Sequence, residues 1–272
     1  MSKQNQILVN KLAKKWLGQH FLNDPYIIDK IVASINLELN QQLLEVGPGF
    51  GALTGDLLSK FDYLDVVEID KDLVVAISNK FIQELSSQKL TIHHCDILKF
   101  DFTKFIQDIA LKGKDSIFIV GNLPYNISTE ILFYFINIQP VQQMVIMLQK
   151  EVADRICATV ASSDYCRLSV VVQHKFYCHQ LCSVDKSSFN PIPKVNSTVI
   201  KLERKPINKI LVVNEANFKY LLATAFNQRR KYLRNSLKSA INLEQIEKLK
   251  KYAKMRPQEL NIADFVNIAN QL

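Results

Sequence analysis

Leu43-Leu44-Glu45-Val46-Gly47-Pro48-Gly49-Phe50-Gly51 carries a short apolar run straight into three glycines, and an amphipathic stretch begins at Ala52. A run of this length that enters a glycine turn and leaves as a helix reads as a strand–turn–helix unit. The glycines let the chain turn sharply and bring backbone N–H groups close to a ligand at the C-terminal edge of a parallel sheet, where open α/β folds bind. The spacing is G-x-G-x-G. It departs from the G-x-G-x-x-G dinucleotide fingerprint, so the turn alone does not name its ligand.

Outward from that turn, runs rich in Val, Ile or Leu recur at residues 42–46, 63–69, 90–94, 116–120 and 144–148. Helix-like stretches at 53–59, 71–85, 129–135 and 150–156 lie between or after them, the alternation expected of a parallel sheet covered on both faces. Residues 180–184 and 197–202 read as two further strands that close the sheet as an antiparallel edge. After Pro206 the pattern turns helical, at 214–227, 231–239, 243–254 and 262–269. The expected organisation is a sheet domain over 1–205 and a helical domain over 206–272, with the boundary near 204–208.

At 272 residues, 48% hydrophobic and 22% charged, the composition is that of a folded globular chain rather than a disordered or fibrous one. No apolar run approaches the length a bilayer crossing needs, and the start has no long apolar signal segment; the expectation is a cytoplasmic protein without a membrane partner. Five cysteines, Cys95, Cys157, Cys166, Cys178 and Cys182, are an odd and sparse set, expected as thiols.

The net charge of +8 is unevenly distributed. Residues 201–272 hold ten lysines and five arginines against five glutamates and one aspartate, a net of +9, so residues 1–200 sum to −1. A small basic arm, Lys3, Lys11, Lys14 and Lys15, precedes the first acid at Asp24. Two basic ends around a near-neutral body suit a polyanion, nucleic acid above all. The expected RNA contacts are Lys14 and Lys15 in the arm, and Arg229, Arg230, Lys231 and Arg234 around Tyr232 on what reads as a helix.

The ends of successive strands carry the chemistry. Glu68 and Ile69 close the second strand, seventeen residues beyond Gly51 in the case of Glu68, and a carboxylate there can accept from both hydroxyls of a ribose. That placement suits NAD equally. At the end of the third strand Asp96 can accept from an adenine amine while Ile97 packs on the ring; the plainer reading of Asp96 is a turn or cap. After the fourth strand comes Gly121-Asn122-Leu123-Pro124-Tyr125. An adenine amino nitrogen is a poor nucleophile, because its lone pair is delocalised into the ring. Acceptors at the Asn122 side chain and at a backbone carbonyl near Leu123 can draw its hydrogens and turn the lone pair toward an incoming methyl group. Pro124 fixes the turn, and Tyr125 can stack on the base. No metal or covalent intermediate is required.

The three strand ends together resemble the class I S-adenosylmethionine-dependent methyltransferases. Across nearly its full length the chain resembles the ribosomal RNA adenine N6,N6-dimethyltransferases, and within them the small-subunit, kasugamycin-resistance branch. The matching stretches are Gly18-Gln19-His20-Phe21-Leu22, the glycine loop, Asn122 through Thr129, Leu148-Gln149-Lys150-Glu151-Val152, Phe189-Asn190-Pro191-Ile192-Pro193-Lys194-Val195, and Ala225-Phe226-Asn227-Gln228-Arg229-Arg230-Lys231. The resemblance implies a Rossmann-like α/β sheet with a small C-terminal all-helical domain. It implies S-adenosylmethionine contacts from His20, Leu22, Gly47, Gly49, Glu68, Ile69, Asp96, Ile97 and Asn122, and a base sandwiched by Tyr125 and Phe189. The implied substrate is a pair of adjacent adenosines in the 3′-terminal hairpin loop of 16S rRNA, within the immature small subunit, and the implied state is a monomer. His20 stands where asparagine is common and Cys166 where glycine is common.

Other readings are weaker. His174, Cys178, His179 and Cys182 fall close together but do not form two separated ligand pairs for zinc. The large-subunit macrolide-resistance methyltransferases share the chemistry, yet the basic tail favours the small-subunit version. A non-catalytic assembly factor or an NAD-dependent oxidoreductase leaves Asn122 through Tyr125 without a role.

Overall fold

The computed structural model describes residues 14, 17–206, 212, 214–238 and 249–272. Lys15 and residues 243–248 of the expected helix over 243–254 lie outside them. Among the described residues run nine strands: β1 (Phe21–Leu22), β2 (Gln41–Val46), β3 (Leu64–Glu68), β4 (Leu90–His94), β5 (Ser116–Asn122), β6 (Val141–Gln149), β7 (Phe176–Val184), β8 (Phe189–Asn190) and β9 (Ser197–Arg204). Seven form one sheet in the order β4-β3-β2-β5-β6-β9-β7. The strands β2 to β6 run parallel to one another, and β9 returns antiparallel beside β6. This is the α/β sheet with an antiparallel edge that the sequence pattern predicts. Every residue of β2 is buried, as a strand covered on both faces requires.

Helices Ala52–Lys60, Lys71–Lys80, Phe102–Ala110 and Ser128–Phe135 follow β2, β3, β4 and β5. The stretch 71–85, which reads as one helix, is two: Phe81 leaves helical geometry between Lys71–Lys80 and Ile82–Ser86. Its ring packs beside the glycine loop, where a Cβ on Gly51 would meet Phe81 Cε2 at 2.6 Å.

The sheet order reverses between β2 and β5, so a crevice opens beyond their carboxyl ends. Val46 and Gly121 are register partners there. A Cβ on Gly121 would lie 2.4 Å from the Val46 carbonyl oxygen, a backbone atom that no rotamer change can move aside. Gly121→Ala is therefore expected to cost about 1–3 kcal/mol by overpacking. A urea midpoint equal to the parent's would refute this account of the glycine.

The chain divides into two compact units: Met1–Ala153 with His179–Glu203, and Asp154–Cys178 with Arg204–Leu272. The expected boundary near 204–208 meets one crossing between them, but residues 154–178 cluster with the helical unit, although Phe176–Cys178 also begin the sheet strand β7. The reason is packing. Tyr165 and Val170 are buried in one apolar cluster with Phe218, Leu221, Leu233 and Phe265. Cys166 caps helix Arg167–Lys175 at φ −151°, extended backbone open to any residue. Its N–H donates to Ser169 Oγ at 2.9 Å, and that hydroxyl donates to the Arg155 carbonyl.

All five cysteines are free thiols. Among the described residues no helix is long and apolar enough to cross a membrane.

Candidate active site

The crevice at the ends of β2 and β5 is a cavity lined by both halves of the expected cofactor set. Gly47, Gly49, Glu68, Ile69, Asp96 and Ile97 reach it from the strand ends. His20, Leu22 and Asn122 through Tyr125 line it as well. One expected site residue does not: Phe189 is 1% exposed and sits in the sheet unit's core with Leu22, Ile27, Val184 and Val199. Strand alternation explains the correction, since β8 turns Phe189 to the core and its neighbour Asn190 lines the cavity.

Glu68 is 5% exposed, and burial pushes its carboxyl up from the ordinary range. Two backbone N–H groups oppose that shift, Gly49 donating to Oε2 at 3.3 Å and Asp70 to Oε1 at 2.9 Å. Each carboxylate oxygen has a further lone pair for a ribose hydroxyl. Asp96 does cap the short turn Ile97–Lys99, accepting the Leu98 N–H at 3.0 Å. That cap uses one carboxylate oxygen and leaves the other for an exocyclic amine.

Asn122 is the most informative residue. Its Nδ2 donates to the His20 carbonyl at 2.8 Å, which fixes the orientation of the amide. Its Oδ1 is buried with no hydrogen-bond partner among the described residues. A desolvated acceptor left unpaired costs on the order of 1–3 kcal/mol, so a donor from a ligand is its natural partner. The neighbouring turn is firm: Leu123 N–H donates to the Met147 carbonyl, and Ile127 N–H to that of Pro124. Tyr125 Oη and Ser197 Oγ are hydrogen-bonded at 2.5 Å, and burial raises the phenol. The His20 imidazole stacks on the Tyr125 ring, centroids 5.5 Å apart at 24°. His20 Nδ1 donates to the Pro191 carbonyl at 2.7 Å, so the imidazole is itself held in place.

Several lining residues were not evident in the sequence. Glu45 is 1% exposed, and burial pushes its carboxyl up to about 8, against the opposing hydrogen bond from Thr54 Oγ1 at 2.7 Å. Between about pH 4.5 and 8 the folded chain keeps a proton that the unfolded chain releases, so Glu45 makes stability fall as pH rises through that window. Glu45→Gln mimics the neutral carboxyl and is expected to flatten the fall. Urea midpoints measured across the window test this, and a slope equal to the parent's would overturn it.

The expected RNA contacts are placed differently from one another. Lys14 spends its ammonium on Asp70 at 2.5 Å and Asp72 at 2.8 Å, both of which raise its pKa. It is therefore a tether for the segment leading to His20, which Gln19 also ties to Asp70 at 3.0 Å. Arg229, Arg230 and Lys231 are exposed but lie in the turn after helix Glu215–Asn227, not on a helix; Arg234 is exposed on the short helix Leu233–Leu237. Arg229 donates to the Ser163 carbonyl at 3.3 Å. Among the described residues no group of three His, Cys, Asp or Glu is placed to hold a metal ion.

The model of the family described as ribosomal RNA adenine dimethylase matches residues 10–272. The ribosomal RNA small subunit methyltransferase A of Coxiella burnetii is 42% identical over 262 residues, covering 95% of this chain and 97% of that one. The protein of the same name from Dechloromonas aromatica is 37% identical over 262 residues, 96% and 98% of the two chains. Among solved structures, a dimethyladenosine transferase from Plasmodium falciparum superposes with a TM-score of 0.77 at 26% identity, covering 92% of this chain and 96% of that one. The 23S rRNA methyltransferase ErmE has the same fold, with a TM-score of 0.68 at 20% identity over 93% and 99% of the chains. With the family model matching nearly the whole chain and relatives this alike over nearly all of both chains, the protein belongs to the ribosomal RNA adenine dimethylases and uses S-adenosylmethionine.

Proposed function

We propose that the protein transfers methyl groups from S-adenosylmethionine to N6 of two adjacent adenosines in the 3′-terminal hairpin loop of 16S rRNA. In this reading it works as a monomer in the cytoplasm, on the immature small subunit. The observation that carries the reading is the buried, unpartnered Oδ1 of Asn122, a residue that lines the cavity.

The cofactor supplies an electrophilic methyl group on a sulfonium centre. Glu68 would hold its ribose hydroxyls, Asp96 and Ile97 its adenine, and the backbone from Gly47 to Gly49 would let it approach the sheet edge closely. Asn122 Oδ1 would accept one N6 hydrogen of the target base, drawing the nitrogen lone pair out of conjugation so that it could act as nucleophile. Tyr125 supplies a stacking face, braced by His20 and anchored by Ser197. The base leaves its stack to reach this site, at a cost of roughly a few kcal/mol that is smaller in a loop than in a duplex. Arg229, Arg230, Lys231 and Arg234 of the helical unit contact RNA phosphates.

Tyr125→Ala is expected to lose about 1–3 kcal/mol of base stacking, read as kcat/KM. Tyr125→Phe keeps the ring and gives up only the hydroxyl's bond to Ser197, so its kcat/KM is expected to fall far less. Equal damage from both would argue against stacking.

The function itself is tested by incubating the protein with undermethylated small subunits and labelled S-adenosylmethionine, then analysing nucleosides by mass spectrometry. Dimethyladenosine at two neighbouring 16S positions is the expected product. Label confined to 23S rRNA, or no transfer at all, would overturn the reading.

A further inference from the structure

Asn122 is not the only residue of the cavity with an unmet hydrogen bond. Asn190 lines the same cavity, and its Nδ2 is buried with no partner among the described residues. The backbone of Asn190 is fixed independently of its side chain, since it pairs with Phe21 across the β1–β8 ribbon. The two carboxamides are of opposite sense: Asn122 leaves an acceptor unpaired and Asn190 leaves a donor unpaired. A buried polar atom without a partner is rare, and two of complementary kind in one cavity call for a ligand that offers a donor beside an acceptor.

Resting on the proposed N6-adenosine chemistry, we infer that Asn190 is a specificity-determining residue whose Nδ2 donates to N1 of the target adenine. A flipped base is read along its Watson–Crick edge, and on adenine that edge presents the N6 hydrogens next to the N1 acceptor. Asn122 Oδ1 takes the first and Asn190 Nδ2 serves the second. Guanine and uracil present the reverse order, a carbonyl acceptor beside a ring N–H donor. Either base would set acceptor against acceptor at Asn122 and donor against donor at Asn190. A site built from buried hydrogen-bonding groups rejects a mismatched edge more strongly than an apolar slot can. Cytosine shares adenine's donor–acceptor order, and its single ring leaves the stacking contact with Tyr125 incomplete.

The test deletes the partner atom from the base and the donor from the protein together. Undermethylated small subunits are prepared by splinted ligation with adenosine, 1-deazaadenosine or 7-deazaadenosine at one target position. Wild type, Asn190→Ala and the near-isosteric Asn190→Asp are compared by kcat/KM for methyl transfer. Asn190→Ala is expected to lose about tenfold on adenosine, the scale of one hydrogen bond in a buried site. The decisive reading is the ratio of adenosine to 1-deazaadenosine. It should be about tenfold larger for wild type than for either variant, whereas the 7-deazaadenosine ratio should be the same in all three proteins. The comparison between proteins cancels any change that 1-deaza substitution makes to the nucleophilicity of N6, and a merely structural role for Asn190 leaves it unmoved.

Equal 1-deaza ratios in wild type and variants would overturn the assignment, as would coupling at the 7-deaza position instead. Wild-type transfer to ordinary adenosine without any coupling would sink Asn190 alone. Absence of that transfer would sink the methyltransferase reading along with it.

Discussion

Replacing Asn122 with alanine is expected to lower turnover by about 10²–10³ while leaving the protein folded. The size follows from where the amide sits. Its oxygen is already desolvated and unpaired, a net cost in the resting chain, and becomes useful only when a donor arrives. An interaction that strengthens as the N6 lone pair is released acts on the transition state more than on the bound ground state, and its loss falls on kcat. The folding cost is smaller. The variant loses the Nδ2 bond to the His20 carbonyl, worth about 0.5–1.5 kcal/mol, and relieves the buried orphan in the same step. Single-turnover transfer with saturating cofactor, paired with a urea midpoint, separates the two effects. A variant that methylates at the parent rate would remove Asn122 from the chemistry, and one that unfolds would remove the argument that its oxygen is held in reserve.

What the sequence made legible was local. The glycine turn, Glu68, and the run from Asn122 to Tyr125 each lie within a few residues of a strand end, so strand periodicity and turn chemistry place them without knowledge of the tertiary fold. What it hid depends on distant pairing. β8 is a two-residue strand whose partner is β1 near the other end of the chain, and nothing in Phe189-Asn190 says which side chain faces the core until that ribbon is formed. Residues 154–178 likewise carry no sequence mark of their unit, being the end of one helix, a turn segment, the helix Arg167–Lys175 and the start of β7, and only the packing of Tyr165 and Val170 with Phe218 and Phe265 places them with the helical unit. Lys14 looked like a free cation because Asp70 and Asp72 are far off in sequence. The run Arg229 to Lys231 reads as helical in the sequence, whereas the chain turns there between helices Glu215–Asn227 and Leu233–Leu237.

Phe189 decides between those two kinds of information. The family resemblance puts its ring against the target base, whereas the structure puts it in the apolar core with Leu22 as its partner across the ribbon. Removing a fully buried phenylalanine costs about 3–5 kcal/mol, the lost transfer energy plus the cavity left behind. Against a total stability of about 5–15 kcal/mol, Phe189→Ala is expected to remain folded at low temperature with a sharply reduced urea midpoint. Phe189→Leu keeps most of the volume and should recover most of the stability. The stacking alternative makes the opposite forecast, because an aromatic platform is lost equally in both variants and neither should change the midpoint greatly. Measuring unfolding and kcat/KM for the pair therefore discriminates: a midpoint that follows side-chain volume places Phe189 in the core. Activity that falls alike in both variants at unchanged stability would return the ring to the base and overturn the packing account.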